Sequence, residues 1–147
     1  MSSQSPAFID PRGPRFGAAV TTVVLAVVLV TGNGWLLAAQ AVVFAVSAFS
    51  SLKYAPYGYI YRALVRPRLG RPSELENPAP PTFAQYVGLG FAAVGAIGYL
   101  SGVTALGLVF AAFALAAAFL HAAFDVCLGC EVYLLIHRGA PRRQPVG

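Results

Sequence analysis

Charge is what this chain has least of. Asp, Glu, Lys and Arg together make up 10% of its 147 residues, five acidic and ten basic. A soluble domain carries about 25% charged residues and uses them to cover its surface. The shortage excludes a soluble enzyme, a disordered chain and an ordinary nucleic-acid-binding domain. Cysteine is scarce as well, with only two. One pair cannot build a complete thiol relay across a membrane within this chain alone. What remains is apolar. Residues of the AVILMFWYC set reach 58%, Gly adds 15 more positions, and mean hydropathy is +0.70. That composition belongs to an integral membrane protein, of a length that suits one domain.

The charges are clustered. Arg15 and Lys53 bracket one uncharged run, and Glu76 and Asp125 bracket another. A membrane-spanning helix needs about 20 apolar residues, so each run is too long for one span and fits two. Thr31-Gly32-Asn33-Gly34 breaks the first, because Gly and Asn tolerate left-handed backbone. Ser101-Gly102-Val103-Thr104 breaks the second. The expectation is an all-α, four-helix membrane bundle with spans near 16–31, 35–50, 83–101 and 105–126. Trp35 falls where an interfacial aromatic is favoured. Thr82 and Gln85 have capping-box spacing at the start of span three. A cleaved signal peptide ending at Ala39-Gln40-Ala41 competes for span one, but the apolar run continues straight through that site.

Arg12 and Arg15 precede span one. Lys53, Arg62, Arg66, Arg68 and Arg71 lie between spans two and three, and Arg138, Arg142 and Arg143 follow span four. Neither inter-span turn carries a basic residue. The positive-inside rule then places both termini, the 51–82 loop and the 138–147 tail in the cytoplasm. The pI near 9.6 is read as topology signal and attraction to anionic headgroups rather than nucleic-acid binding.

Tyr54, Tyr57, Tyr59 and Tyr61 crowd the start of the central loop, a pattern that suits a headgroup-level belt. Pro56 can start a short interfacial helix there, with Arg62 and Arg66 on one face for headgroup or partner contact. Residues 66–81 read as loop. Gly98 and Gly102 have GxxxG spacing, which serves packing inside the bundle or a homodimer seam.

The two cysteines sit together in Asp125-Val126-Cys127-Leu128-Gly129-Cys130-Glu131. About 20 residues of helix from Ala105 cover about 30 Å, which brings the pair to the cytoplasmic end of span four. Thiols at i and i+3 of a helix start can close a small disulfide ring, and a helix N-terminus favours thiolate. Asp125 can cap a new helix from Val126. A helix continuous through Cys130 would instead put the pair mid-helix. His121 and Asp125, and Cys127 and Glu131, are spaced i,i+4. Ionisable groups at membrane depth face a bundle interior or water. Arg12 and Arg15, at the same level, are placed to neutralise Asp125 or Glu131. For catalysis, Cys127 is assigned as attacking thiol and Cys130 as resolving thiol, with Glu131, Asp125 and His121 as the nearby ionisable groups. Packing of two small hydrophobes is the bland alternative. Zinc would need four ligands, and Cys127, Cys130, His121 and His137 all come from one stretch that cannot readily surround an ion. No metal is expected.

Several segments carry a resemblance. They are Phe8-Ile9-Asp10-Pro11-Arg12 with Arg15-Phe16, Arg66-Pro67-Arg68-Leu69-Gly70, Pro81-Thr82-Phe83-Ala84-Gln85, and residues 122–133 with Cys-Leu-Gly-Cys-Glu at their centre. Together they resemble the bacterial membrane family catalogued as domain of unknown function 4395. The resemblance implies a small multi-span protein of the bacterial cell membrane that associates with thioredoxin-like or sulfurtransferase proteins. The architecture alone is also similar to quinone-linked thiol oxidoreductases of the vitamin K epoxide reductase type, although those use more than one cysteine pair. Electrons would then pass to a quinone, a sulfur substrate or a partner's cysteines.

The leading functional expectation is a membrane thiol–disulfide or sulfur-handling redox component. A non-catalytic anchor for a soluble thioredoxin-like or sulfurtransferase partner is the second. A small transporter of a reduced sulfur species is the third, and the weakest because no span is broken mid-membrane by Pro. The expected partners are the lipid bilayer, the soluble protein named above and a second copy of the chain.

Overall fold

The computed structural model describes residues 9–50, 52, 55–138 and 143–145, the last three by their backbone. Phe8, Lys53, Tyr54 and Arg142 lie outside the described residues, as does most of the 138–147 tail. In order, the elements are α1 (Arg12–Thr31), α2 (Gly34–Ser50), α3 (Pro56–Ile60), a π-helical turn (Tyr61–Val65), α4 (Arg66–Leu69), β1 (Glu74–Glu76), α5 (Ala79–Leu100), α6 (Thr104–Phe124), α7 (Leu128–Ile136) and β2 (Arg143–Pro145).

Three helices, α1, α5 and α6, are long and apolar enough to cross a membrane, and α2 is a shorter apolar helix of 17 residues. Their outward side chains suit lipid rather than water. Val30 is 87% exposed, Trp35 73% and Phe49 70%. Such a continuous apolar exterior marks a surface meant to be covered.

Both inter-helix turns form where the sequence places them. Gly32 takes φ 67° and Gly102 takes φ 91°, conformations that glycine adopts without a Cβ clash. Asn33 Oδ1 accepts the amide N–H groups of Trp35 at 3.0 Å and Leu36 at 3.1 Å, which caps the start of α2. The two turns lie together. A Cβ on Gly34 would come within 2.8 Å of Tyr99 and 3.0 Å of Leu100.

The four long helices pack as a closed ring, α1 on α2, α2 on α5, α5 on α6 and α6 on α1. Small residues permit the close approaches. Gly88 faces the Phe44 ring, Gly95 faces Leu37, and Gly98 lies against the backbone of Gly107. Gly98 therefore packs inside the bundle, while Gly102 is a turn residue with open space around it. The core of Leu25, Val28, Leu37, Phe44, Ala92, Ala96, Ala111 and Ala114 fills mainly the half nearer the two turns. The opposite half is built differently, and the described ends of the chain, the central segment and α7 gather there.

Helix boundaries depart from expectation at that end. Span three begins at Ala79 rather than 83, with Pro80 and Pro81 in its first turn. Proline is tolerated there because first-turn N–H groups have no helical acceptor. The Thr82–Gln85 capping box does not form. Thr82 Oγ1 donates to the Pro78 carbonyl at 2.7 Å, and Asn77 Oδ1 accepts the Ala79 N–H at 3.0 Å in its place. The central segment is helical from Pro56 to Leu69, so residues 66–69 are not loop. Residues 74–76 pair antiparallel with 143–145, and Ile9 bridges to Glu76.

The tyrosines of that segment do not form a uniform belt. Tyr57 Oη donates to Gln40 Oε1 at 2.6 Å, and Tyr61 Oη donates to Asp10 Oδ2 at 2.7 Å. Both rings point into the protein and fasten the segment to α2 and α1. Tyr59 faces outward, with Arg62 stacked over its ring at 4.9 Å.

Candidate functional site

Span four does not run through the cysteines. The helix α6 stops at Phe124, because Asp125 adopts left-handed backbone at φ 57°. Asp is among the few residues that accept this conformation. Val126 N–H then bonds Leu120 O at 3.2 Å, closing the α6 terminus. Cys127 is extended and caps α7, its Sγ accepting the Cys130 N–H at 3.2 Å. Asp125 therefore ends one helix rather than starting the next. Cysteine takes the N-cap position that the sequence reading gave to aspartate.

Cys127 and Cys130 are joined by a disulfide, with Cα atoms 5.1 Å apart. Both are buried, Cys127 at 5% exposure and Cys130 at 0%. Gly129, between them, lies against α5. A Cβ there would come within 2.6 Å of Ala84 Cβ and 2.7 Å of Ala84 Cα. Phe83 meets the Tyr133 ring at 5.9 Å. The Pro81–Gln85 and 122–133 segments are thus one packed unit, in which only glycine lets α7 approach so closely.

The predicted ionisable residues divide between two cavities. His121 and Cys127 line a large crevice of about 1360 Å³ inside the half of the bundle away from the turns. Asp125 lines a small separate pocket of about 150 Å³ together with Arg12 and Arg15. Glu131 is exposed in the first turn of α7. The i,i+4 spacing of His121 and Asp125 therefore does not bring both to one cavity, because the helix ends between them. His137 stacks on Tyr133 at 4.3 Å. Among the described residues no cluster of three or more His, Cys, Asp or Glu could hold a metal ion.

The arginines near α1 have structural partners. Arg12 forms a two-pronged pair with Asp10, its Nε 3.0 Å from Oδ1 and Nη2 3.0 Å from Oδ2, and donates to Gly70 O at 2.7 Å. Arg15 donates to the carbonyls of Ala122 at 2.9 Å and Ala123 at 3.3 Å. It thereby satisfies free acceptors at the negative end of α6. Burial alone would raise the Asp10 carboxyl. The hydrogen bonds from Arg12 and Tyr61 and the Arg12 charge outweigh burial and hold it below the ordinary carboxylate value. Burial and the bond to Asp10 push the Tyr61 phenol up to about 12. Arg62 lies on Tyr59, and Arg66 is exposed at the start of α4.

Sequence reasoning missed a set of buried polar residues. Thr21 is 4% exposed, Gln40 1% and Ser47 3%, and all three line the crevice. Gln40 bridges Tyr57 and Thr21, the latter by a long 3.5 Å contact from Nε2. The usable signal was Gln40 itself, a polar amide within an uncharged run, where such groups face an interior.

The family described as "Domain of unknown function (DUF4395)" has a model that matches residues 9–138 of the chain. No curated protein matches, and no solved structure matches.

Proposed function

We propose, for a chain that belongs to the DUF4395 family, a membrane-embedded redox component whose Cys127–Cys130 pair cycles between disulfide and dithiol. The observation that carries this reading is the pair's setting. A disulfide at the N-terminus of α7 has one of its two residues, Cys127, on the wall of a large crevice and an N–H aimed at the Cys127 sulfur. In the dithiol form the same N–H and helix end would favour a Cys127 thiolate. That thiolate attacks a substrate disulfide or sulfane sulfur, forming a mixed species and expelling the first sulfur leaving group. Cys130 then attacks Cys127 Sγ, restores the intramolecular disulfide and releases the second sulfur, as thiol from a disulfide substrate or as hydrogen sulfide from a sulfane sulfur.

The bilayer placement is part of the same proposal. Four spans form an integral bundle in a bacterial cell membrane, with the segment 56–69 lying at the interface. The described ends of the chain and the basic central segment share one end of the bundle, which the positive-inside rule assigns to the cytoplasm.

The second reading is a non-catalytic anchor. It is supported by the outward face of 56–69, where exposed Leu64 and Leu69 accompany exposed Arg66 and Arg68. That face would hold a soluble thioredoxin-like or sulfurtransferase protein.

Thiol labelling of intact cells and inverted vesicles, with and without reductant, tests the first reading. Labelling of both cysteines only after reduction, and from the cytoplasmic side, supports it. Labelling that is absent even in reduced, folded protein defeats it. Cys127→Ser and Cys130→Ser should abolish redox turnover in assembled protein. Retained partner recruitment in those variants, with loss in Arg62→Ala and Arg66→Ala, would favour the anchor.

A further inference from the structure

Burial of the disulfide limits what can reach it. Cys130 is fully buried and Cys127 nearly so, and α7 is pressed against α5 at Gly129. A folded protein's active-site thiol has no open approach to either sulfur. The crevice has one, because Cys127 is part of its wall.

The crevice is larger than a site for a small metabolite. Its volume, about 1360 Å³, exceeds the roughly 300–1,000 Å³ of ordinary ligand pockets. Phe44, Phe91, Phe113, Ala114, Ala117 and Ala118 form an apolar part of its wall, beside the buried polar groups of Thr21, Gln40 and Ser47. Register places its redox-active group. Gly129 touches Ala84 on α5, and Arg15 on α1 touches Ala122, so Cys127 and His121 belong to the same level of the bundle, at the end away from the turns. A ligand there meets a two-electron sulfur couple and an imidazole at one level, with apolar aromatic and alanine surface around it.

We propose that the crevice binds a lipid-soluble quinone and that the Cys127–Cys130 dithiol reduces it. This rests on the redox reading above and names its electron acceptor. Two S–H bonds break and one S–S bond forms. The two electrons and two protons pass to the quinone, whose two carbonyls become the hydroxyls of a quinol. His121, on the same wall, carries one of the protons. The disulfide seen in the structure is the product state of this half-reaction.

The test uses the full chain in lipid nanodiscs, reduced with a phosphine that is then removed. A quinone with a fully substituted ring and one isoprenoid unit is added, because such a ring does not trap thiols by simple addition. The expected result is loss of one quinone absorbance per protein as free thiols fall from two to none. Ala117→Leu and Ala118→Leu, which fill the crevice, should slow this at least tenfold, while each reduced variant, once unfolded, still shows both free thiols. The redox-inert dimethyl ether of the quinol should compete with the quinone on the unaltered protein, a readout that needs no variant. Equal rates in the filled variants, or no competition, would overturn the crevice assignment. If a small neutral disulfide, able to enter the crevice, closes the pair and the quinone does not, the quinone inference fails and the redox reading survives. If neither oxidant closes it, both fall.

Discussion

The Arg15 guanidinium reaches across the bundle to the main-chain carbonyl of Ala122, 2.9 Å away. A side chain near the start of α1 therefore finishes the last turn of α6, directly before the left-handed residue that turns the chain towards Cys127. Arg15→Ala should leave two helix-end carbonyls without this donor and cost about 1 kcal/mol. The same variant should speed reduction of the disulfide, because the segment from 122 to 127 loses its tether. Thermal melts and the rate of phosphine reduction check both effects. Arg15→Lys, which keeps the charge and one donor, should fall between.

Asp10, Arg12 and Tyr61 predict a pH window for attachment of the central segment. The folded Asp10 carboxyl lies below its ordinary value. Its contribution is therefore present above the ordinary carboxylate pKa and is lost as pH falls through the depressed one. Tyr61 has the opposite sign. Raised from 10.0 to about 12, it contributes fully below pH 10, and the contribution is lost as pH climbs towards 12. Asp10→Asn should cost about 1–2 kcal/mol near neutrality and flatten the acid limb of the stability profile. Tyr61→Phe should flatten the alkaline limb. Melting temperature against pH, for each variant, is the measurement.

Gly129→Val should be poorly tolerated. The new side chain would meet backbone as well as Cβ of Ala84, so α7 must shift away. Overpacking of this kind costs about 1–3 kcal/mol. Because α7 carries Cys130, the variant should also expose the sulfurs, seen as faster labelling after brief reduction. Labelling as slow as in the unaltered protein would show that α7 has another way to settle.

Three glycines on or just beyond α5 should behave differently. Gly98→Ile collides with the Gly107 backbone nitrogen, 2.7 Å from the position of a Cβ, and should destabilise the α5–α6 hairpin. Gly102→Ala has space but needs φ 91°, and should cost about 1 kcal/mol. Gly90→Ala meets nothing within 4 Å and should change stability by less than about 0.5 kcal/mol. Thermal melts of the three rank the contributions of packing and backbone.

Much of the helix pattern was legible in the sequence, because the distribution of charge dictates it. Runs free of charge became helices, and Gly32 and Gly102 became the turns between them. Boundaries at the charged end were less legible. There, helix starts and stops depend on partners distant in sequence, such as Arg15 for the end of α6. The capping-box pattern at Thr82 competed with Asn77 and two prolines, and lost. The cysteine segment was legible as a pair but not as a place. Nothing local to residues 125–130 announces that Ala84 will press against Gly129, or that His121 will face a cavity that Asp125 does not share. Gln40 was readable on its own terms, yet its company of Thr21 and Tyr57 arises only when three helices meet.

The uneven filling of the bundle leaves it solid at one end and hollow at the other. Leu25, Val28, Leu37, Ala92, Ala96 and Ala111 plug its floor beneath the two glycine turns, while the hollow lies above them. Enlarging a side chain should therefore be costly near the turns, where every neighbour is already in contact, and far better tolerated along the hollow.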